Sequence, residues 1–312
     1  MKKRLLQWLR CPRCKGNLDL RVQREEDGEI LEGGLTCHAC SRTFPILRGI
    51  PRFTDAEAYV RNFSFEWTVH HRTQLDTAGS HESESMFGLK TGWSKVDLDG
   101  QSVLDVGCGM GRFLDAASRW GGEAIGVDLS AAVDAAYENL GRRSNVHLVQ
   151  ADVFALPFAA GSLNRIYSIG VLHHTPDCGR AFEQLPPLLA PHGQLAVWVY
   201  SNHNFLYNYI SGQYRRLTTR LPVQFLYALC FLAVPLYFLY KIPFFGVVLS
   251  HLVPVSEHPK WRWRVLDTFD WYSPRYQSKH SYYEVVQWFR QAGLDEIEIL
   301  PYPVSCRGRK PA

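Results

Sequence analysis

Between residues 101 and 200 the chain repeats one pattern: a short apolar run, a turn, then a stretch with apolar residues at helical spacing. The runs "QSVLDV", "EAIGVD", "NVHLVQ", "LNRIYSIG" and "QLAVWVY" read as strands, and the stretches near 111–120, 131–141 and 178–190 as helices. Strands alternating with helices predict an α/β architecture, a mainly parallel sheet wound on both faces. The alternation fails over residues 201–280, where "LPVQFLYALCFLAVPLYFLYKIPFFGVVLSHLVPV" (221–255) carries Lys241 as its sole charge. It resumes with "SYYEVVQWFRQAGL", an amphipathic helix closed by Gly293, and "DEIEILPYPVSCRG", one or two strands. The apolar stretch is therefore an insertion ahead of the sheet's last strands. Upstream, residues 1–53 read as a small cysteine-bearing module ending in "FPILRGIPRF". Residues 54–98 read as a connecting or lid segment, first aromatic ("YVRNFSFEWTVHHR") and then loop-like ("TAGSHESES").

Composition narrows this only a little. A chain of 312 residues, 46% hydrophobic and 21% charged, has the make-up of an ordinary globular protein, with room for one large domain and a small one. The formal charge of +4 is too mild to imply a nucleic-acid partner. Its distribution is uneven, since Lys2, Lys3, Arg4, Arg10, Arg13, Lys15, Arg21 and Arg24 crowd the start against Asp19 alone. Such a cluster is either a footprint for an acidic partner or a solvated face beside a metal site. The first 20 residues lack a long apolar run and a small-residue cleavage site, so no signal peptide is expected. The eight cysteines do not form a secreted disulfide pattern, which suits a reducing cytoplasm.

Four of those cysteines are paired by spacing. Cys11-Pro-Arg-Cys14 and Cys37-His-Ala-Cys40 give two C-x2-C turns separated by 22 residues. Each turn offers two thiolates from one knuckle, and four thiolates make a tetrahedral structural zinc site with no position left for catalysis. His38 inside the second knuckle reads as exposed filler.

The stretch "SVLDVGCGMGRF" (102–113) follows a strand with glycines at 107, 109 and 111. That spacing is neither the G-x-G-x-x-G of dinucleotide folds nor a G-x-x-x-x-G-K-[ST] nucleotide loop. Asp105 before the glycines would repel a pyrophosphate but accept hydrogen bonds from an ammonium group. Asp128 ends the second strand, where an acid can hold two ribose hydroxyls. Asp152 follows the third strand, near an adenine amino group, with Val153 offering a backbone contact. An ammonium acceptor, a ribose acid and an adenine-side acid together describe S-adenosylmethionine.

"VLDVGCGMGR", "GVDLS", "ADVFALPF" and "IYSIGVLHHTPD" resemble, in order and spacing, the cofactor motifs of the class I S-adenosylmethionine-dependent methyltransferases, over about residues 101–200. The likeness is greatest to the branch that includes the ubiquinone/menaquinone-type enzymes. The resemblance implies a Rossmann-like, doubly wound, seven-stranded sheet over residues 99–312, interrupted by the mainly helical insertion at 201–280. It implies that Asp105, Gly107 and Gly109 line the methionine end, Asp128 holds the ribose, and Asp152 and Val153 meet the adenine. Cys108, Gly111 and Leu129 join them as cofactor contacts. Two positions depart from the family pattern: Asn164, where an aspartate is frequent, and His192, where a second glycine is common. The module "CPRC … CHAC … FPILRGIPRF" resembles the Trm112-like zinc ribbons, elsewhere free-standing activators of methyltransferases acting on tRNA and translation factors.

Methyl transfer asks the protein to align an acceptor, exclude water and remove a proton where the acceptor requires it. His173 and His174 follow the fourth strand at the ligand-binding edge and are candidate bases, against a reading as hydrogen-bonded loop histidines. Tyr200 is a candidate for the acceptor side, and Phe63, Phe65 and Trp67 either form a lid or pack the segment onto the core. Val223 to Tyr240 is 18 residues without charge, near the length of a membrane span, but Pro235 and Pro243 interrupt it and strands follow. That leaves a peripheral membrane contact, a lipid-like acceptor site or a plain cap, with Arg215, Arg216, Arg220, Lys260, Arg262 and Arg264 flanking it. The function expected is methyl transfer to a small or lipid-linked acceptor. The alternatives are an RNA or translation-protein methyltransferase docking through the ribbon, and a non-catalytic cofactor-binding scaffold.

Overall fold

The computed structural model describes residues 1–54 and 61–312, so residues 55–60 of the connecting segment lie outside the described residues. The amino-terminal module is an antiparallel meander of β1 (Leu18–Glu26), β2 (Glu29–Cys37), β3 (Thr43–Leu47) and β4 (Ile50–Pro51). Three helices follow, α1 (Arg61–Val69), α2 (Glu82–Thr91) and α3 (Lys95–Leu98). The alternating region then runs β5 (Ser102–Val106), α4 (Arg112–Arg119), β6 (Glu123–Asp128), α5 (Ala132–Leu140), β7 (Val146–Gln150), β8 (Leu163–Ile169), α6 (Cys178–Glu183) and β9 (Leu189–Trp198). The insertion supplies α7 (Phe205–Thr218), α8 (Val223–Cys230), α9 (Ala233–Leu239), α10 (Phe245–Leu252) and α11 (Trp261–Tyr272). The chain closes with α12 (Tyr282–Gln291), β10 (Asp295–Ile299) and β11 (Ser305–Arg309).

The large sheet has seven strands in the order β10-β11-β9-β8-β5-β6-β7, parallel except for β11, which runs antiparallel to both neighbours. This is the Rossmann-like doubly wound sheet the sequence predicts. Strand alternation explains how both faces are filled. Leu104 and Val106 join one core with Ile125, Val127, Phe182 and Phe289, while Val103 joins the other with Leu114, Ala124 and Tyr167. Strand order reverses between β5 and β8, which makes the carboxyl ends of those two strands the natural ligand crevice.

The structure refines the reading at three places. The helix read over 178–190 stops at Glu183, and Pro186-Pro187 lead into a short 3-10 turn, with β9 starting already at Leu189. The expected connector is largely part of the domain: Phe87, Trp93 and Leu98 are fully buried, and Phe87 stands edge-on to Tyr167 at 5.0 Å. The charge-free run breaks into α8 and α9, with Pro235 in the first turn of the second, where proline is tolerated. Among the described residues no helix is long and apolar enough to cross a membrane.

The module is welded to the sheet rather than tethered. Leu9 bridges Phe158, Arg10 N–H donates to the Pro157 carbonyl at 2.8 Å, and Ala159 N–H to Trp8 at 2.8 Å. Leu5, Leu9, Ile30, Leu35 and Ile46 share one core with Val149 and Phe158. Each such side chain contributes about 1.5–3 kcal/mol. Surface ion pairs such as Lys3–Glu25 contribute at most about 1 kcal/mol, so apolar burial decides the attachment. At the other end Arg52 clamps Asp134 with two hydrogen bonds, of 2.7 and 3.2 Å, and donates to Gln150 at 2.8 Å, covering the β7 edge.

Candidate functional site

The glycine loop leaves β5 at the switch point. Gly107 has φ +82°, and a Cβ there would lie 2.4 Å from Val171 on the loop after β8. Only glycine permits both that backbone and that approach. Gly109 has φ +52° and stands against the Trp67 indole, 3.3 Å from where a Cβ would sit. Gly111, at φ +92°, opens α4 against Leu140. Its Cβ space is filled by the core, and it does not line the cavity.

Loop, switch point and α11 enclose a cavity of about 940 Å³. At one end it is walled by Gly107, Cys108, Gly109, Asp128, Leu129 and Val153. Asp128 Oδ2 accepts from Gly109 N–H at 2.9 Å, while Oδ1 accepts from the Ser130 N–H and hydroxyl at 2.8 and 2.7 Å. Burial raises its pKa above the usual carboxylate range, and these donors act against that rise. The loop and the carboxylate thus fix each other.

Two expected ligand contacts stand elsewhere. Asp105 shares the face of Val103, not that of Val106, and pairs in register with Gly126 and Tyr167. Strand alternation carries its carboxyl under the loop, away from the cavity wall. Burial pushes its pKa up to about 8, with Asp128 raising it further, and Oδ2 has no hydrogen-bond partner among the described residues. Asp152 is not on the wall either; it caps the turn Val153–Ala155 by accepting from Phe154 N–H at 3.0 Å.

The candidate histidines separate as well. His173 is fully buried behind Tyr200, its ring stacked on the Tyr200 ring at 3.9 Å and its Nδ1 accepting from Tyr200 N–H at 3.3 Å. It does not reach the cavity, because the 3-10 turn Leu172–His174 points adjacent side chains to different sides. His174 does line the cavity. Its Nδ1 faces the Tyr276 carbonyl at 3.0 Å and so carries the proton, leaving Nε2 without a partner among the described residues. Burial holds both imidazoles neutral by lowering their pKa values.

The other end of the cavity brings together Tyr200, Phe63 and Trp67, expected near the acceptor, with charged residues the sequence did not point to. Tyr200 donates to Asp270 at 2.7 Å, and Phe63 and Trp67 of α1 form wall, whereas Phe65 packs into the α8–α11 core with Tyr227 and Phe269. Lys90, Arg112, Glu66 and Asp267 complete this end. They come from four separate helices; the one sequence signal was the i, i+3 spacing of Asp267 and Asp270 in "WRWRVLDTFDWY". Among the described residues none of 221–255 lines the cavity, and the insertion's apolar core packs against α11.

Asn164 and His192 have structural explanations. Asn164 Oδ1 accepts from the Ser102 hydroxyl at 2.7 Å at the foot of the sheet, and His192 takes φ +62°, the conformation that makes glycine common there.

In the module, Sγ atoms of Cys11, Cys14, Cys37 and Cys40 all lie within 4.8 Å of one another, with Cys11–Cys40 at 3.7 Å and Cys14–Cys37 at 3.4 Å. Four sulfurs about 2.3 Å from a tetrahedral ion stand about 3.8 Å apart, so the cluster fits zinc. His38 is outside it, exposed and 2.8 Å from Asp19.

Residues 104–197 match the methyltransferase domain family, and residues 2–49 match the Trm112p-like proteins. The chain is 30% identical over 125 residues to a ubiquinone biosynthesis O-methyltransferase of Coxiella burnetii, covering 38% of this chain and 53% of that one. It is 32% identical over 105 residues to an uncharacterized protein of Synechococcus, covering 32% of this chain and 25% of that one. The chain therefore spans a quarter to about half the length of these curated relatives. Among solved structures, a complex of the Haloferax volcanii Trm112 methyltransferase activator with a methyltransferase superposes at a TM-score of 0.48 and 15% identity, covering 80% of this chain and 98% of that one. Residues 104–197 are thus similar to methyltransferase domains. A Trm112-like module is fused ahead of this region and shares its core.

Proposed function

We propose that the chain transfers a methyl group from S-adenosylmethionine to a small or lipid-linked acceptor. The observation that carries this reading is the Asp128–Gly109 clamp at the switch point, opening into one cavity with room for both donor and acceptor. Asp128 would hold the ribose hydroxyls, Leu129 and Val153 the adenine, and Gly107 to Gly109 the amino-acid end. Bound there, the cofactor supplies a methyl group already activated on a sulfonium. The chain's part is to exclude water with Trp67 and Phe63, to orient the acceptor, and to hold a proton acceptor at His174 Nε2. Asp105 is buried beside Tyr167 and does not line the cavity. Calorimetric titration with S-adenosylmethionine tests the reading: one site per chain is expected, and absence of binding would rule it out.

His174 gives a pH signature. Its lowered pKa means that the neutral ring, with Nε2 bare, persists below pH 6.5 and is lost only as pH falls through that depressed value. The kcat/KM profile is therefore expected to stay flat from pH 8 down to about 6.5. Replacing His174 by glutamine is expected to lower kcat about 100-fold. An acid limb centred above pH 7, or full activity in the variant, would exclude His174 as the base.

The Cys11, Cys14, Cys37 and Cys40 cluster would hold one structural zinc. The RNA-docking alternative gains little from the basic start of the chain. Lys2 donates to the Gly141 and Val146 carbonyls, Lys15 to Leu156, Lys3 pairs with Glu25, Arg4 with Glu123 and Arg24 with Glu32.

A lipid surface is favoured by the insertion's outer face. Phe225, Leu232, Phe238, Phe244, Val247 and Leu252 are each more than half exposed. No acidic residue occurs between Glu183 and Glu257, whereas Arg216, Arg220 and Lys241 are exposed. An apolar face with cations and no anions suits anionic headgroups. Co-sedimentation with phosphatidylglycerol vesicles is expected, at least tenfold above that with phosphatidylcholine vesicles, and lost on Phe238→Ser with Phe244→Ser. Equal, weak recovery with both vesicles would contradict it.

A further inference from the structure

The acceptor end of the cavity holds more negative charge than the fold neutralises by contact. Glu66 on α1 faces α11, whose Asp267 and Asp270 stand one turn apart; all three line the cavity. Glu66 is 1% exposed, and its Oε2 has no hydrogen-bond partner among the described residues. Asp267 accepts only from neutral groups, Gln74 at 3.4 Å and Ser256 at 3.1 Å, and Asp270 from the Tyr200 hydroxyl at 2.7 Å. No cation of the described residues comes within 4.0 Å of any of the three.

The cations nearby attract these carboxylates only from a distance, Arg112 and Lys90 acting on Asp267 and Lys90 and Arg215 on Asp270, while their direct contacts are made elsewhere. Lys90 Nζ lies 3.4 Å from the Trp198 ring centre and 4.5 Å from that of Tyr302. Arg112 donates to Ser83 at 2.9 Å and stacks its guanidinium over Phe113 and Trp263, each at 4.8 Å. Lys279 donates to Asn208 at 2.7 Å, and Glu82 is satisfied by His258 and Lys260. Burying carboxylates without a paired cation is strongly unfavourable, so a cluster of this kind calls for a positive ligand. Trp67 and Trp271 also line the cavity, and aromatic rings attract alkylammonium groups.

We propose that Glu66, Asp267 and Asp270 form a recognition site for a cationic amine carried by the methyl acceptor. The inference rests on this cavity serving donor and acceptor together, as argued above. Burial, followed by repulsion from Asp270 and Asp267, raises Glu66 well above the usual carboxylate range, and burial pushes Asp267 up to about 6 against the pull of Arg112. A bound ammonium would bring both back down.

Tryptophan fluorescence of the full chain, titrated with 2-phenylethylamine and with the neutral isostere 2-phenylethanol, tests this. The amine is expected to bind at least tenfold tighter. Glu66→Gln, or Asp270→Asn if the first variant folds poorly, should reduce that preference below threefold. S-adenosylmethionine affinity, measured separately by calorimetry, should hold, which separates failure of this site from failure of the donor site. Displacement of the bound amine by ethanolamine assigns the group to a free molecule, and displacement only by vesicles containing phosphatidylethanolamine assigns it to a lipid headgroup. Equal binding of amine and alcohol, or a preference that survives both substitutions, overturns the proposal.

Discussion

Replacing Asp128 by alanine is expected to weaken S-adenosylmethionine binding at least 100-fold. The carboxylate would supply two charge-assisted hydrogen bonds to vicinal hydroxyls, each worth about 1.5–3 kcal/mol. A loss of about 2.7 kcal/mol already corresponds to two decades in Kd. The change also removes the acceptor for Gly109 N–H and for both Ser130 donors, so the loop loses its anchor with its ligand contact. Asp128→Asn keeps an acceptor but not the charge, and an intermediate loss of about tenfold is expected. Because burial raises the Asp128 pKa, wild-type affinity should decline as pH falls through that raised value, at a pH above the ordinary carboxylate range. Calorimetry on the three proteins decides it; an unchanged Kd in the alanine variant would remove Asp128 from the donor site.

The second large effect lies far from the cavity. Removing one thiol of the cluster, as in Cys11→Ala, should release the zinc and lower the melting temperature of the whole chain by more than about 10 °C. Structural zinc contributes roughly 10–16 kcal/mol in small peptide sites at neutral pH. Even a fraction of that is large where about 1 kcal/mol shifts Tm by 2–4 °C. The loss cannot stay local, since Leu9 and Trp8 pack in the core that contains Phe158 and Val149. It should also reach the donor site, because Lys15 Nζ donates at 2.8 Å to the carbonyl of Leu156, a cavity-wall residue. Metal analysis is expected to give one zinc per wild-type chain and none in the variant. A single sharp melting transition at the wild-type temperature in the metal-free variant would contradict the coupling.

The fold was legible because its signals are local. Alternating apolar runs specify the parallel strands, glycines at 107, 109 and 111 mark a loop that needs positive φ, and paired C-x2-C turns mark a knuckle. The place of Asp128 beside the loop was legible for the same reason, since the end of a second strand has a fixed relation to the loop. That Asp105 and His173 stand off the cavity wall was not legible, because which way a side chain points depends on parity and turn type. Leu104 and Val106 face one core, which sends Asp105 to the other, and a 3-10 turn splits His173 from His174. Tyr200, Phe63 and Trp67 were legible at the acceptor end, but its charged groups were not, because Glu66, Lys90, Arg112, Asp267 and Asp270 converge only after four helices have packed. The apolar insertion invited a membrane or tunnel reading from composition. Its buried half packs against α11, and its exposed half is what remains for a lipid surface.

The most direct measurement of the central claim is incubation of the full chain with methyl-labelled S-adenosylmethionine and fractionated cell extract. The account predicts label in an amine-bearing small-molecule or lipid fraction, abolished by Asp128→Ala. Label recovered in RNA or protein, or no transfer from a cofactor that binds, would contradict it.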